Sequence, residues 1–142
     1  MKNFLLIQGE DFLDDRGKLR FFNDFKMLGI KRMYEIGPAD TDTLRAWQGH
    51  ESEQKWFYCS SGTIVINLVK VDDFRNPSPG IEPIRIELNK DVPVVVFVPG
   101  GYATGIKAND PNSQLLVFSD TTLEESRQDD FRYPVDLWNA DW

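Results

Sequence analysis

His50 is the one histidine in the chain, and imidazole is the side chain whose ordinary pKa lies nearest neutrality, so it is the natural candidate for a general base. It stands two residues after Gln48, and on a strand residues i and i+2 leave the same face. An amide does not titrate in this range, so Gln48 can orient or hydrogen-bond a polar atom but cannot take a proton. A base at His50 needs an acid, and the phenol of Tyr102, in a stretch with glycines at 100, 101 and 105, is a candidate for it. Each has an ordinary alternative: His50 as a satisfied hydrogen-bonding residue at a loop mouth, Gln48 as a polar lining residue, and Tyr102 as part of a core.

Four cations could hold a small anion. Arg16, Arg45 and Arg75 offer planar forks that match phosphate or carboxylate oxygens, and Lys55 offers a mobile point charge. A basic residue on a strand is more often a solvated surface charge, so convergence of these four has to come from the fold. The whole chain carries 16 Lys and Arg against 23 Asp and Glu, a net charge of -7. That average field repels an extended phosphate backbone and excludes nucleic acid as the expected partner, while leaving room for one local basic pocket.

Cys59 is the only cysteine, so no disulfide framework and no thiolate metal site can be built, and a reducing compartment fits. The opening Met1-Lys2-Asn3 and short Phe4-Leu5-Leu6-Ile7 lack a long apolar segment and a small-residue cleavage site. No stretch approaches a membrane span. The expectation is a soluble, cytoplasmic protein with no membrane partner.

The elements that must position these residues read as strands. Apolar patches are short, rich in Val, Ile, Phe, Tyr and Trp, and divided by Gly, Pro, Asn and Asp. Strands are expected at Phe4 to Ile7, Lys18 to Phe22, Ile30 to Ile36, Thr43 to Trp47, Lys55 to Ser60, Thr63 to Val71, Ile84 to Leu88, Val92 to Val98, Gly105 to Lys107 and Ser113 to Asp120. That spacing suits a sandwich or closed barrel. Ser60-Ser61-Gly62 reads as a tight hairpin, with consecutive strands pairing antiparallel. Thr121 to Gln128 is the one helix candidate, opened by Thr with Glu in its first turn. The aromatic tail from Phe131 to Trp142 is too apolar to leave in water, so it packs on the barrel or on a second subunit. At 142 residues and 41% hydrophobic content, one domain over 1–142 is expected.

Four segments together resemble one family. Asp14-Asp15-Arg16-Gly17-Lys18-Leu19 is similar to the D-x-R-G-x-[FL] opening of the RmlC-like cupins, the dTDP-4-dehydrorhamnose 3,5-epimerases and the WxcM-like dTDP-sugar 3,4-ketoisomerases. Ile30-Lys31-Arg32-Met33-Tyr34 resembles the I-K-R-x-Y strand of the ketoisomerase branch. Arg45-Ala46-Trp47-Gln48-Gly49-His50 resembles its R-G-x-H-x-H motif, and Lys55 stands where the epimerases have a Lys before the strand that leads to a glycine, here Gly62. Asp73 to Pro79 resembles D-x-R-x-x-S-P, and Val98 to Gly105 resembles I-P-x-G-F-A-H-G.

The resemblance implies an all-β cupin, a double-stranded β-helix or jelly-roll barrel, with a short C-terminal helix. It implies an isomerase or epimerase that removes a proton beside the ketone of a dTDP-4-keto-6-deoxysugar, with His50 and Tyr102 catalytic. Arg16, Arg45, Gln48, Lys55, Arg75 and Thr104 then bind substrate, Arg16 across a strand-exchanged homodimer, and Asp141 in the tail orients a base. Three positions depart from the family pattern: Gln48 and Thr104 replace motif histidines, and Val117 lies near where the epimerases place an acid-base Tyr. These losses leave open an alternative, a cupin that binds a nucleotide sugar or carbohydrate without turnover. No cofactor is expected. The two His and one Glu of a metal-binding cupin read here as Gln48, His50 and Lys55, and a cation in a ligand position argues against metal.

Overall fold

The computed structural model describes residues 2–142. In chain order its strands are β1 (Leu5–Gln8), β2 (Glu10–Asp14), β3 (Gly17–Phe21), β4 (Arg32–Ile36), β5 (Arg45–His50), β6 (Lys55–Ser61), β7 (Thr63–Lys70), β8 (Ile84–Asn89), β9 (Val94–Val98), β10 (Tyr102–Ala108) and β11 (Gln114–Ser119). A helix α1 (Leu123–Arg127) and a two-residue strand β12 (Phe131–Arg132) follow. Two five-stranded antiparallel sheets, ordered β1-β9-β6-β11-β4 and β12-β5-β10-β7-β8, form the jelly roll, and β2 and β3 make a separate hairpin.

Alternation of side chains explains what each strand buries. Along β11, Leu115, Val117 and Ser119 turn inward while Leu116 and Phe118 lie on the partly exposed outer face. The barrel interior is filled by Phe57, Ile64, Ile66, Leu68, Leu115 and Val117, among others. β7 is buried on both faces from Ile64 to Val69, which is why it reads as an unbroken apolar run. Its outer face is covered by the C-terminal tail, where Trp138 and Val69 share a second core with Trp47 and Ala103. The Trp47 and Trp138 rings meet edge to face at 5.4 Å, and the Trp138 indole donates to the Ser78 carbonyl at 2.8 Å. The tail thus packs on its own barrel.

The expected hairpin at Ser60-Ser61-Gly62 is corrected. β6 pairs with β9 and β11 in one sheet, while β7 pairs with β8 and β10 in the other. Gly62 is where the chain crosses between sheets: its φ is +71°, and a Cβ there would lie 2.9 Å from the Ser113 Cα, so only glycine fits the crossing. Consecutive pairing holds for β2 with β3 and β7 with β8 alone among the described strands, because a jelly roll sends successive strands to opposite sheets to cover both inner faces.

α1 is shorter than the expected span. Thr122 caps it in a reciprocal box with Glu125, and the backbone N–H of Thr122 holds the Glu125 carboxyl down to about 2. No helix among the described residues is long and apolar enough to cross a membrane.

Candidate functional site

Both sheets contribute to one open end of the barrel. β5 carries Arg45 and Gln48, and its register puts Gln48 opposite Thr104 of β10 on one side and Arg132 of β12 on the other. From the facing sheet, β6 begins with Lys55 and β4 supplies Tyr34. These residues line a cavity of about 360 Å³ with an apolar inner wall that includes Ile36, Phe57 and Ile106. An adjoining chamber of about 520 Å³ shares Tyr34, Arg45, Gln48, Lys55 and Arg132 and adds Arg32, Arg127 and Asp130. Five cations and one carboxylate line that chamber, in a chain whose net charge is -7. It is therefore a local concentration of positive charge.

Lys55 is the pivot. Its side chain is 6% exposed, and its ammonium lies 3.4 Å from the Gln48 Oε1 and 5.9 Å from the centre of the Tyr34 ring. Burial brings its pKa down to about 8, with Glu53 opposing the fall and Arg32 and Arg132 adding to it. Tyr34 moves the other way: burial pushes its phenol up to about 12, so it stays a hydrogen-bond donor at neutral pH. Gln48 is fixed at both ends, its amide N–H donating to Asp130 at 3.1 Å and its carbonyl accepting from Lys55.

Of the sequence-derived site residues, the fold brings together Arg45, Gln48, Lys55 and Thr104. It places the others elsewhere. His50 is 4% exposed and does not line the cavity. Its Nδ1 lies 2.5 Å from the Asp129 carbonyl, which as an acceptor fixes the proton on Nδ1, and its Nε2 is buried without a partner. Burial lowers its pKa, so it is neutral at pH 7. Gln48 and His50 are two apart on one strand, yet that strand ends at His50, and a loop-capping contact claims the imidazole. Tyr102 is 3% exposed in the barrel core, edge to face with Phe4 at 6.5 Å. Arg16 sits on the β2–β3 turn, 84% exposed and paired with Asp14 at 2.6 Å, and Arg75 is exposed on the loop after β7. Asp141 is 91% exposed, 3.8 Å from Arg85.

Three residues at or behind the site carry weight that sequence reasoning did not give them. Tyr34 stands directly opposite Val117 on the neighbouring strand, so a phenol reaches the cavity from β4 although position 117 is apolar. Its place in the Ile30 to Tyr34 segment was the available signal. Arg132 follows a helix and a turn and left no pattern to read. Glu53, two residues before Lys55, is fully enclosed behind the cavity wall.

The set does not suit a metal. His50 spends its Nδ1 on a carbonyl and faces away from the cavity, while Gln48, Lys55 and Thr104 are poor or cationic ligands. Among the described residues no group of three or more His, Cys, Asp or Glu converges on a point.

No protein-family model matches this sequence, and no curated protein does either. Solved structures do. QdtA, a sugar 3,4-ketoisomerase from Thermoanaerobacterium thermosaccharolyticum solved with TDP, is 26% identical, with a TM-score of 0.71 over 92% of this chain and 88% of its own. The dTDP-4-dehydrorhamnose 3,5-epimerase of Bacillus anthracis, solved with TDP and pyrophosphate, gives a TM-score of 0.77 at 19% identity over 94% of this chain and 79% of its own. WlaRB, a TDP-quinovose 3,4-ketoisomerase from Campylobacter jejuni, gives 0.70 at 22% identity, covering 94% and 95%. The chain has the fold of the RmlC-like cupins. Its structural neighbours are nucleotide-sugar isomerases and epimerases.

Proposed function

We propose that the cavity binds a dTDP-linked 4-keto-6-deoxysugar and that the protein shifts its ketone from C4 to C3. What carries this reading is the pairing of a cationic chamber with an apolar-walled cavity, joined at Lys55. Arg45, Arg127 and Arg132 suit a diphosphate, and Ile36, Phe57 and Ile106 suit the deoxysugar face.

The acid and base are reassigned to Lys55 and Tyr34. With a pKa of about 8, Lys55 offers a useful fraction of free amine at neutral pH, and an effective general base has a pKa near the working pH. The amine takes the proton on C3, and the electron pair moves into an enolate at O4, to which the Tyr34 O–H donates. Tyr34 passes its proton to O4, the Lys55 ammonium returns the carbon proton to C4, and the O3 hydroxyl gives its proton to the Tyr34 phenolate as the C3 ketone forms.

Both groups come from the same sheet, and the facing wall presents Gln48, Thr104, Arg45 and Arg132, an amide, a hydroxyl and two guanidiniums, none of them a general base. Proton return on the face it left gives a ketone shift, whereas epimerisation needs a second donor across the sugar. A specific observation favours the other reading, binding without turnover: no imidazole lines the cavity.

Solvent deuterium incorporation into dTDP-4-keto-6-deoxyglucose distinguishes them. The expected result is exchange above the uncatalysed background, lost in Lys55→Met and slowed at least tenfold in Tyr34→Phe. Tight binding with no exchange would leave only the binding protein.

A further inference from the structure

Behind the cavity wall lies a polar cluster centred on Glu53. Glu53 Oε2 accepts from the Ser119 hydroxyl at 2.9 Å and from Arg32 Nη2 at 3.1 Å, and lies 3.8 Å from Lys55 Nζ. Its Oε1 is 3.7 Å from His50 Nδ1 and has no hydrogen-bond partner. A carboxylate with no solvent exposure is costly unless it is paired, so its position demands an explanation.

We infer that Glu53 is the positioning residue of the site, a buried counter-charge shared between Arg32 and Lys55 that aims the lysine amine into the cavity. The inference rests on the reading of Lys55 as the group that acts on the ligand.

The geometry separates two roles. Arg32 is the nearer cation to Glu53, at 3.1 Å against 3.8 Å for Lys55. Lys55 also has Gln48, a neutral acceptor, at 3.4 Å. Around the ammonium and its carboxylate stand Arg32 and Tyr34 from β4, Arg45, Gln48 and His50 from β5, Arg132 from β12 with Asp130 beside it, Ser126 and Arg127 from α1, and Ser119 of β11 on Glu53. The guanidiniums of Arg32 and Arg132 disfavour the charged lysine and the carboxylates of Glu53 and Asp130 favour it. Burial pushes the Glu53 carboxyl up, but the polar and charged groups around it, Ser126 first among them, outweigh burial and hold it below the usual carboxylate range. With Glu53 and Arg32 balancing each other, a neutral Lys55 leaves the cluster without net charge, while a protonated one leaves it positive. The pair therefore acts as a bias on one amine, and the two partners pull it in opposite directions.

Opposite signs make the inference testable. Protein carrying lysine labelled with 13C at the ε carbon is titrated by NMR, with the Lys55 resonance assigned by its disappearance in Lys55→Met. Glu53→Gln keeps the shape and the acceptor for Ser119 but removes the charge, and Lys55 should then titrate about one pH unit lower. Arg32→Gln frees Glu53 for Lys55, and the midpoint should rise by a similar amount. The second variant serves if the first does not fold, as judged by its thermal transition.

A Lys55 midpoint that stays fixed in whichever variant folds, or moves the same way in both, would overturn the inference. The titration uses the free protein, so absence of deuterium exchange would defeat the ketone-shift reading and leave this one standing. Where exchange occurs, the acidic limb of its pH profile should follow the NMR midpoint in each variant, a shift that mere loss of structure would not produce.

Discussion

A buried primary amine beside the guanidiniums of Arg32 and Arg132 is a poor place for a positive charge, and that strain is the working feature of Lys55. Its folded pKa of about 8 lies below the ordinary 10.5. The unfolded chain therefore binds more protons than the native one between those values, so this residue's contribution to stability rises with pH across that window and is lowest below pH 8. The difference amounts to about 3 kcal/mol. Replacing the amine by a methylene chain should relieve it: Lys55→Met is expected to melt higher than the parent at pH 7, with the gap closing towards pH 10.5, while exchange activity disappears. Equal melting at pH 7 would mean that the amine is not strained.

His50 is the counterpart, a residue whose type announces chemistry and whose surroundings give it a structural task. Its Nδ1–H ties the end of β5 to the Asp129 carbonyl. Calorimetry of His50→Ala should show a loss of about 1–3 kcal/mol, and dTDP affinity should change by no more than a few-fold. A correctly folded His50→Ala variant that binds dTDP normally but has lost exchange would return the base to His50. The motif segments led to Arg45, Gln48, Lys55 and Thr104, since backbone register fixes where they point. They could not lead to the reassignment of His50 and Tyr102, which depends on a carbonyl 79 residues away in one case and on Phe4 in the other.

Among the elements, the connection from β5 to β6 decides whether Glu53 and Lys55 arrive in place. The Asp129 carboxylate accepts from the backbone N–H of Glu51 at 2.7 Å, Ser52 at 2.9 Å and Glu53 at 2.8 Å, so the segment after α1 clamps the loop that carries the buried acid. Three charge-assisted bonds on one carboxylate are not additive, and losing them together should cost about 2–4 kcal/mol. Asp129→Ala is thus expected to lower the melting temperature, and hydrogen exchange at Glu51 to Glu53 should accelerate well beyond the change elsewhere. Uniform acceleration would mean a general loss of stability and no clamp.

Strands were legible wherever β-branched and aromatic residues alternated, and ten of them stood out that way. β2 escaped because Glu10-Asp11-Phe12-Leu13-Asp14 has no period of two and its apolar pair meets no core, and β12 because two residues carry no period. The crossing at Gly62 looked like a hairpin for a physical reason: a glycine between two strands serves a reversal within a sheet and a step between sheets equally well, and only the contact with Ser113 separates them.

For the whole molecule, two features call for partners. The β2–β3 hairpin pairs with neither five-stranded sheet, touching the body through Arg20 on Tyr58 and the Lys90 carbonyl, and exposes Phe12 at 55%, Leu13 at 71% and Leu19 at 62%. Two-stranded hairpins are marginal alone in water, and we propose that a second copy of the chain covers this one. Light scattering should give the mass of a dimer, and Leu13→Asp with Leu19→Asp should give a monomer. A monomeric parent protein would contradict the proposal.

The second feature is the cationic chamber on an acidic chain, and the account depends on what that chamber holds. The most direct measurement is a calorimetric titration of dTDP into the protein at low and at moderate salt. Saturable binding with a Kd below about 0.1 mM, weakened by salt and weakened at least tenfold in Arg132→Ala, is the predicted result. No heat up to millimolar dTDP, or binding indifferent to Arg132, would contradict it.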